Sequence, residues 1–226
     1  MTRDDAPSAA AGAAPGATSA EIIREYGPYP GAPRVAGVSY DGEHVWIAAP
    51  SGLIAIDPDT GQVRRTLETA ADAGTAFDGT HLYQLADHVI RKLDRTTGEV
   101  LTTIPAPGKG RDSGLTWAEG TLWVGQYRDR TITQIDPVDG KVLRTIQSNR
   151  FVTGVTFVDG DLWHATGEGD ASELRRVDRD TGDVLERLEL PAGVGVSGLE
   201  SDGADRLFCG GGESGKLRVV RRPKRG

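Results

Sequence analysis

From Gly37 onward, short apolar runs broken by a polar position or two recur between glycine-bearing turns. This is the period-2 texture of half-buried strands, and no stretch carries helical spacing. Five segments superimpose: GVSYDGEHVWIAA from Gly37, GTAFDGTHLYQLA from Gly74, GLTWAEGTLWVGQ from Gly114, GVTFVDGDLWHAT from Gly154 and GLESDGADRLFCG from Gly198. Successive starts lie 37, 40, 40 and 44 residues apart. Each unit reads as a short apolar strand, a turn, and a second strand centred on Trp46, Tyr83, Trp123, Trp163 or Phe208. A variable loop and a third strand follow. A D-x-x-T/D-G turn then leads to a fourth strand such as QVRRTLE or KVLRTIQ. Aspartate opens such turns and glycine supplies the positive φ that ends them.

Four strands per unit of about 40 residues is the arithmetic of a β-propeller blade. The fifth unit stops after three strands, at KLRVVRRP, while EIIREY (Glu21–Tyr26) carries the pattern of a blade's outer strand. The prediction is all-β: a five-bladed β-propeller whose last blade is closed by the N-terminal strand, which removes an exposed edge. A single domain is expected over residues 20–223, with a disordered tail over 1–19 and a basic tail over 224–226.

Composition narrows the function classes. The 31 glycines among 226 residues are about twice the usual share of roughly 7%, and the repeat accounts for most of them. No window approaches the roughly 18 apolar residues of a membrane span. The Ala/Gly/Ser/Pro-rich first twenty residues lack the basic start and apolar block of a signal peptide. With one cysteine, Cys209, no internal disulfide forms, and a cytoplasmic location is expected. A net charge of -7 argues against nucleic-acid binding. The expected partner is a small molecule or peptide, with no nucleic acid, no membrane, and a monomer or weak homodimer.

Repeats align a chain against itself, so positions where one blade departs are candidates for chemistry. The loops between second and third strands, and those between blades, share one face around the central channel. There a pocket is expected. That face carries Arg34, Asp72, Lys109, Arg111, Asp112, Tyr127, Arg128, Asp129, Asn149, Arg150, Glu168 and Glu213. In the first strand, the third position reads Ser39, Ala76, Thr116, Thr156 and then Glu200, a lone carboxylate near the axis. The position after the second-strand aromatic reads Ile47, Gln84, Val124, His164 and Cys209.

Each candidate also has a structural reading. Glu200 can pair with an arginine, His164 can be a satisfied interior histidine, and Asp112 in GKGRDSG can make turn hydrogen bonds. Cys209 reads as a small buried hydrophobe. GGGESGK resembles a phosphate-binding loop but has Leu217 in place of the hydroxyl residue and joins two strands. His44 and His81 share one repeat position, and His88 and His164 have no ligand-spaced partner. No cofactor is expected; a divalent metal held by channel carboxylates and carbonyls is the exception weighed.

SGLTWAEGTLWVGQYRDRTITQIDPVDGKVLRTI resembles a blade of the plant-type and bacterial glutaminyl cyclases, and GTAFDGTHLYQLA resembles another, including the pair Tyr83–Gln84. The similarity spans roughly residues 20–223 and includes the five-blade count. It implies a reaction in which the amine of an N-terminal glutamine attacks its own side-chain amide, releasing ammonia. Such chemistry needs a carboxylate for the amine, a donor for the oxyanion and an apolar wall. Gln84 and Trp117 carry over from the family. Its first-blade glutamate is Ile47 here, and its Glu-Leu-Glu-Trp stretch reads Gly114-Leu115-Thr116-Trp117.

The expected function is therefore a glutaminyl-cyclase-like enzyme, or a diverged relative, acting on an amide, amine or peptide at the channel mouth. Glu200, Asp112 and His164 are its catalytic candidates, and Gln84, Trp117, Tyr127, Arg128, Arg150 and Cys209 its substrate-binding candidates. A non-catalytic binding propeller is the alternative. A looser similarity to the seven-bladed streptogramin lyases adds proton-abstraction chemistry as a third.

Overall fold

A computed structural model describes residues 15–224. The residues described are strand, turn and irregular segments without a helix. Five sheets are present, each built on a four-stranded antiparallel meander; one gains a short fifth strand in parallel at its outer edge, and one takes its outer strand from the start of the chain. Blade 1 comprises Gly37–Tyr40, Val45–Ala49, Gly52–Ile56 and Val63–Leu67. Blade 2 comprises Thr75–Phe77, His81–Ala86, Val89–Asp94 and Val100–Pro105, and blade 3 Asp112–Ala118, Thr121–Gln126, Thr131–Ile135 and Val142–Gln147. Blade 4 comprises Val152–Val158, Asp161–Glu168, Ala171–Val177 and Val184–Glu189. Blade 5 takes Leu199–Ser201, Arg206–Gly210 and Leu217–Arg221 from the end of the chain and Ile22–Tyr26 from its beginning.

The fold is thus a five-bladed β-propeller whose last blade is closed by the N-terminal strand, as the repeat predicts. Arg218 Nε donates to Glu25 at 2.7 Å, and Lys216 pairs with the same carboxylate. The lysine of the phosphate-loop look-alike therefore holds the closing strand. Within the tail expected over 1–19, Thr18–Ser19 pair in parallel with the outer strand of blade 4. Residues 1–14 and 225–226 lie outside the described part, as does most of each expected tail.

The turns repeat because one side chain organises each. Asp57, Asp94 and Asp178 each accept two backbone N–H bonds at 2.7–3.0 Å, and Asp136 accepts one at 2.8 Å. Each turn ends on a glycine with φ between +72° and +81°. In blade 1, Asp41 also accepts the Trp46 indole N–H at 2.7 Å. Blade 3 makes the equivalent turn with Glu119–Gly120, and the Trp123 indole N–H has no partner.

Buried residues form five apolar clusters, and each joins two neighbouring blades. Side-chain alternation explains this: along the second strand of blade 1, Val45, Ile47 and Ala49 face blade 5, whereas Trp46 and Ala48 face blade 2. At the axis, the repeat-leading glycines touch. A Cβ on Gly74 would lie 2.4 Å from Leu115 N, one on Gly154 2.6 Å from Leu199 N, and one on Gly198 2.7 Å from Val38 N.

Candidate functional site

One step before each axial glycine, the five blades contribute Ala36, Ala73, Ser113, Thr153 and Ser197. These five residues floor a concavity of about 520 Å³, rimmed by Arg34, Asp72, Asp112, Tyr127 and Glu213. This is the channel mouth, on the face formed by the variable loops. Its floor is partly stapled: Ser113 Oγ donates to Val152 O at 2.6 Å, and Ser197 Oγ donates to Val35 O. Each bond reaches the next blade. Thr153 Oγ1 is buried and has no partner.

Asp112 is the one member of the catalytic trio in the mouth. Its Oδ1 accepts the Gly108 N–H at 2.8 Å, while its Oδ2 is buried without a hydrogen-bond partner. Burial raises the carboxyl's pKa, against the lowering effect of bonds from the Gly108 and Gly110 backbone and from Gln126. Beside it opens a hollow of about 250 Å³, bounded by Asp72, Asp112, Leu85 and the Asp87–His88 turn. Asp72 Oδ2 accepts the Asp87 N–H at 3.1 Å. The mouth thus offers two carboxylates and an idle hydroxyl.

Glu200 and His164 lie elsewhere. Glu200 sits two residues beyond Gly198 on the inner strand, with its carboxyl buried. It accepts a bond from Thr156 Oγ1 and one from Ser201 N at 2.9 Å. Burial pushes its pKa up to about 7, although both bonds act in the opposite direction. His164 is 1% exposed. The position after the second-strand aromatic faces the preceding blade, so its ring enters the wedge between blades 3 and 4. Burial, helped by the Arg175 charge, lowers its pKa to about 4. The structure does not bring the three together.

The binding candidates divide similarly. Tyr127 lines the mouth, 39% exposed, and its ring stacks on Phe151 with centroids 4.7 Å apart. Arg130 covers Phe151 at 4.5 Å, which fixes this wall. Arg128 is exposed on the same turn but is not part of the mouth's lining. Arg150 faces Glu168 and Glu173, at 3.8 Å from each. Gln84 is fully buried and donates to Ala73 O at 3.1 Å and Leu85 O at 2.8 Å, bracing two backbone segments beside Asp72. Trp117 stacks on Tyr83 at 5.4 Å, between blades 2 and 3. Cys209 is buried in the wedge of blades 4 and 5, which pushes its thiol up to about 12. Among the described residues, no group of three or more His, Cys, Asp or Glu could hold a metal ion. Nor is any helix long and apolar enough to cross a membrane.

The sequence reading missed two features. The floor column is visible one place before the repeat glycine, but alanine, serine and threonine there read as spacers. The other is Glu173, 3% exposed in blade 4. Burial opposes its ionisation, yet Arg187 at 2.6 Å and Arg175 at 2.7 Å hold its pKa at about 2. The signal was ELRRV, where blade 1 has GLIAI.

The family model PQQ_2, described as outer membrane protein assembly factor BamB, matches residues 86–226. No curated protein matches the sequence. Among solved structures, Myxococcus xanthus glutaminyl cyclase is similar at TM-score 0.69 and 19% identity, covering 90% of this chain and 96% of that one. The WD40 β-propeller domain of Doa1 matches at TM-score 0.52 and 18% identity, over 84% of this chain and 64% of that one. Kuenenia stuttgartiensis hydrazine synthase matches at 0.50 and 17%, over 80% and 56%. At these identities the likeness is one of fold.

Proposed function

The chain belongs to the family described as outer membrane protein assembly factor BamB, and on that premise we propose that it is a binding propeller whose mouth takes up a primary amine, either a small amine or the free N-terminus of a peptide. One observation carries this reading: Asp112, which borders the hollow beside Asp72, holds a buried carboxylate oxygen with no hydrogen-bond partner. An ammonium group supplies the donor that oxygen lacks and the charge that offsets its burial. The Thr153 hydroxyl offers a further contact, and Tyr127 a wall.

The test is calorimetric titration with short peptides carrying a free or an acetylated N-terminus. The free form binds and the acetylated form does not, and Asp112→Asn weakens binding by about tenfold or more. Because burial raises the Asp112 pKa, affinity increases as pH rises through its titration, while the amine is still protonated. Equal binding of acetylated peptide, or an unaffected Asp112→Asn, refutes the reading.

A second reading, cyclase-like turnover, is supported by the same carboxyl: a raised pKa and a free oxygen suit a general base for an amine. It predicts ammonia release from glutamine-initiated peptides that disappears in Asp112→Asn. Saturable binding without ammonia leaves the binding propeller.

A further inference from the structure

Blade 2 carries a second hollow next to the one at Asp112. It has a volume of about 570 Å³ and is lined by Val89, Ile104, Pro105 and Ala106, with His88 and Lys109 at its edge. His88 borders both hollows. Its ring packs directly on the segment that joins blades 2 and 3, because a Cβ on Gly110 would lie 2.0 Å from His88 Nδ1. On one side of the imidazole are Asp72 and Asp112; on the other is a mainly apolar cleft ending at the Lys109 ammonium.

We infer that the ligand is a peptide N-terminus whose first side chain is apolar, with its ammonium between Asp72 and Asp112 and that side chain across His88 in the blade 2 cleft. The inference rests on the amine-binding reading and adds to it the neighbour of the amine. Charge sets the direction. Lys109 repels an ammonium at its end of the cleft, whereas the carboxylates attract one at theirs. Area sets the preference: half-buried Val89 and exposed Pro105, over the buried base of Ile104 and Ala106, gain cover from a branched aliphatic or aromatic side chain and none from glycine. An acidic first side chain gains nothing from the apolar lining and meets only the Lys109 ammonium at the cleft's edge.

The experiment titrates the full chain with a series of tripeptide amides, Xaa-Gly-Gly, beginning with Leu, Phe, Gly or Asp. The Leu and Phe peptides bind about tenfold more tightly than the Gly peptide, the yield expected from covering one aliphatic side chain. The Asp peptide binds more weakly than the Leu and Phe peptides. Val89→Ser narrows the Leu-to-Gly ratio. Lys109→Glu, at an exposed position, narrows it too, since the ammonium then has a competing carboxylate at the opposite end. Equal affinity for Leu and Gly peptides, with both weakened by Asp112→Asn, overturns the inference and leaves the amine site standing. Absence of binding by every peptide, or an Asp112→Asn without effect, removes both.

Discussion

Burial acts on Glu200 and His164 in opposite senses because the charged form of one is its deprotonated state and that of the other its protonated state. Glu200 is pushed up to about 7, above its unfolded value near 4.5. Its contribution to stability is fully present below pH 4.5 and is lost as pH rises through 7. His164 is lowered to about 4 from 6.5, so its contribution is present above 6.5 and is lost as pH falls through 4. Between about pH 4.5 and 6.5 the two slopes oppose each other, each worth on the order of 3 kcal/mol at its limit. Glu200→Gln therefore makes stability rise more steeply with pH across this window, and His164→Gln makes it fall. Urea midpoints measured at half-unit pH steps check both signs; parallel profiles for the two variants refute the assignment. Both residues break the repeat because they tune a packed interior. A departure from the repeat thus marks a changed environment, and an open mouth is only one kind of environment.

The closing strand Ile22–Tyr26 belongs to blade 5 through its backbone ladder to Leu217–Arg221 and through Glu25. Thr18–Ser19 add only a two-residue pairing at the outer edge of blade 4. Truncations separate the two. A chain beginning at Glu21 loses the short pairing and melts within a few degrees of the full chain. One beginning at Gly27 leaves blade 5 with three strands and an unpaired edge, and it loses its cooperative transition or aggregates. Thermal melting with light scattering measures both, and a stable chain from Gly27 shows that ring closure is dispensable. This strand was legible because EIIREY filled a vacancy that the repeat count itself defined. The Thr18–Ser19 pairing was not, because two residues carry no periodicity.

Over the whole molecule, stability comes from five wedges of side chains between blades and from backbone contact at the axis. Gly114→Ala places a Cβ 2.6 Å from Val155 Cγ2 and, behind it, 2.7 Å from Val155 N and 2.9 Å from Gly154 C, where the backbone cannot yield. The cost is on the order of 3 kcal/mol, read as a lowered melting temperature. Gly120→Ala finds nothing within 4 Å, but its φ of +76° strains any L side chain, so its cost is smaller and local. Equal melting points for the two variants argue against the axial contact. The five-fold architecture, its closure and the face carrying the mouth were determined by the sequence alone, because strand period and turn glycines are local signals repeated five times. Which polar groups share a space was decided only by the tertiary structure. Asp72 lies in the segment leading into blade 2, while Asp112 and Thr153 lie at the start of the first strands of blades 3 and 4, and ring curvature, not sequence spacing, brings them to one cavity. The same curvature turns His164 and Cys209 into wedges between blades and sets Glu200 beyond the glycine ring, away from that cavity.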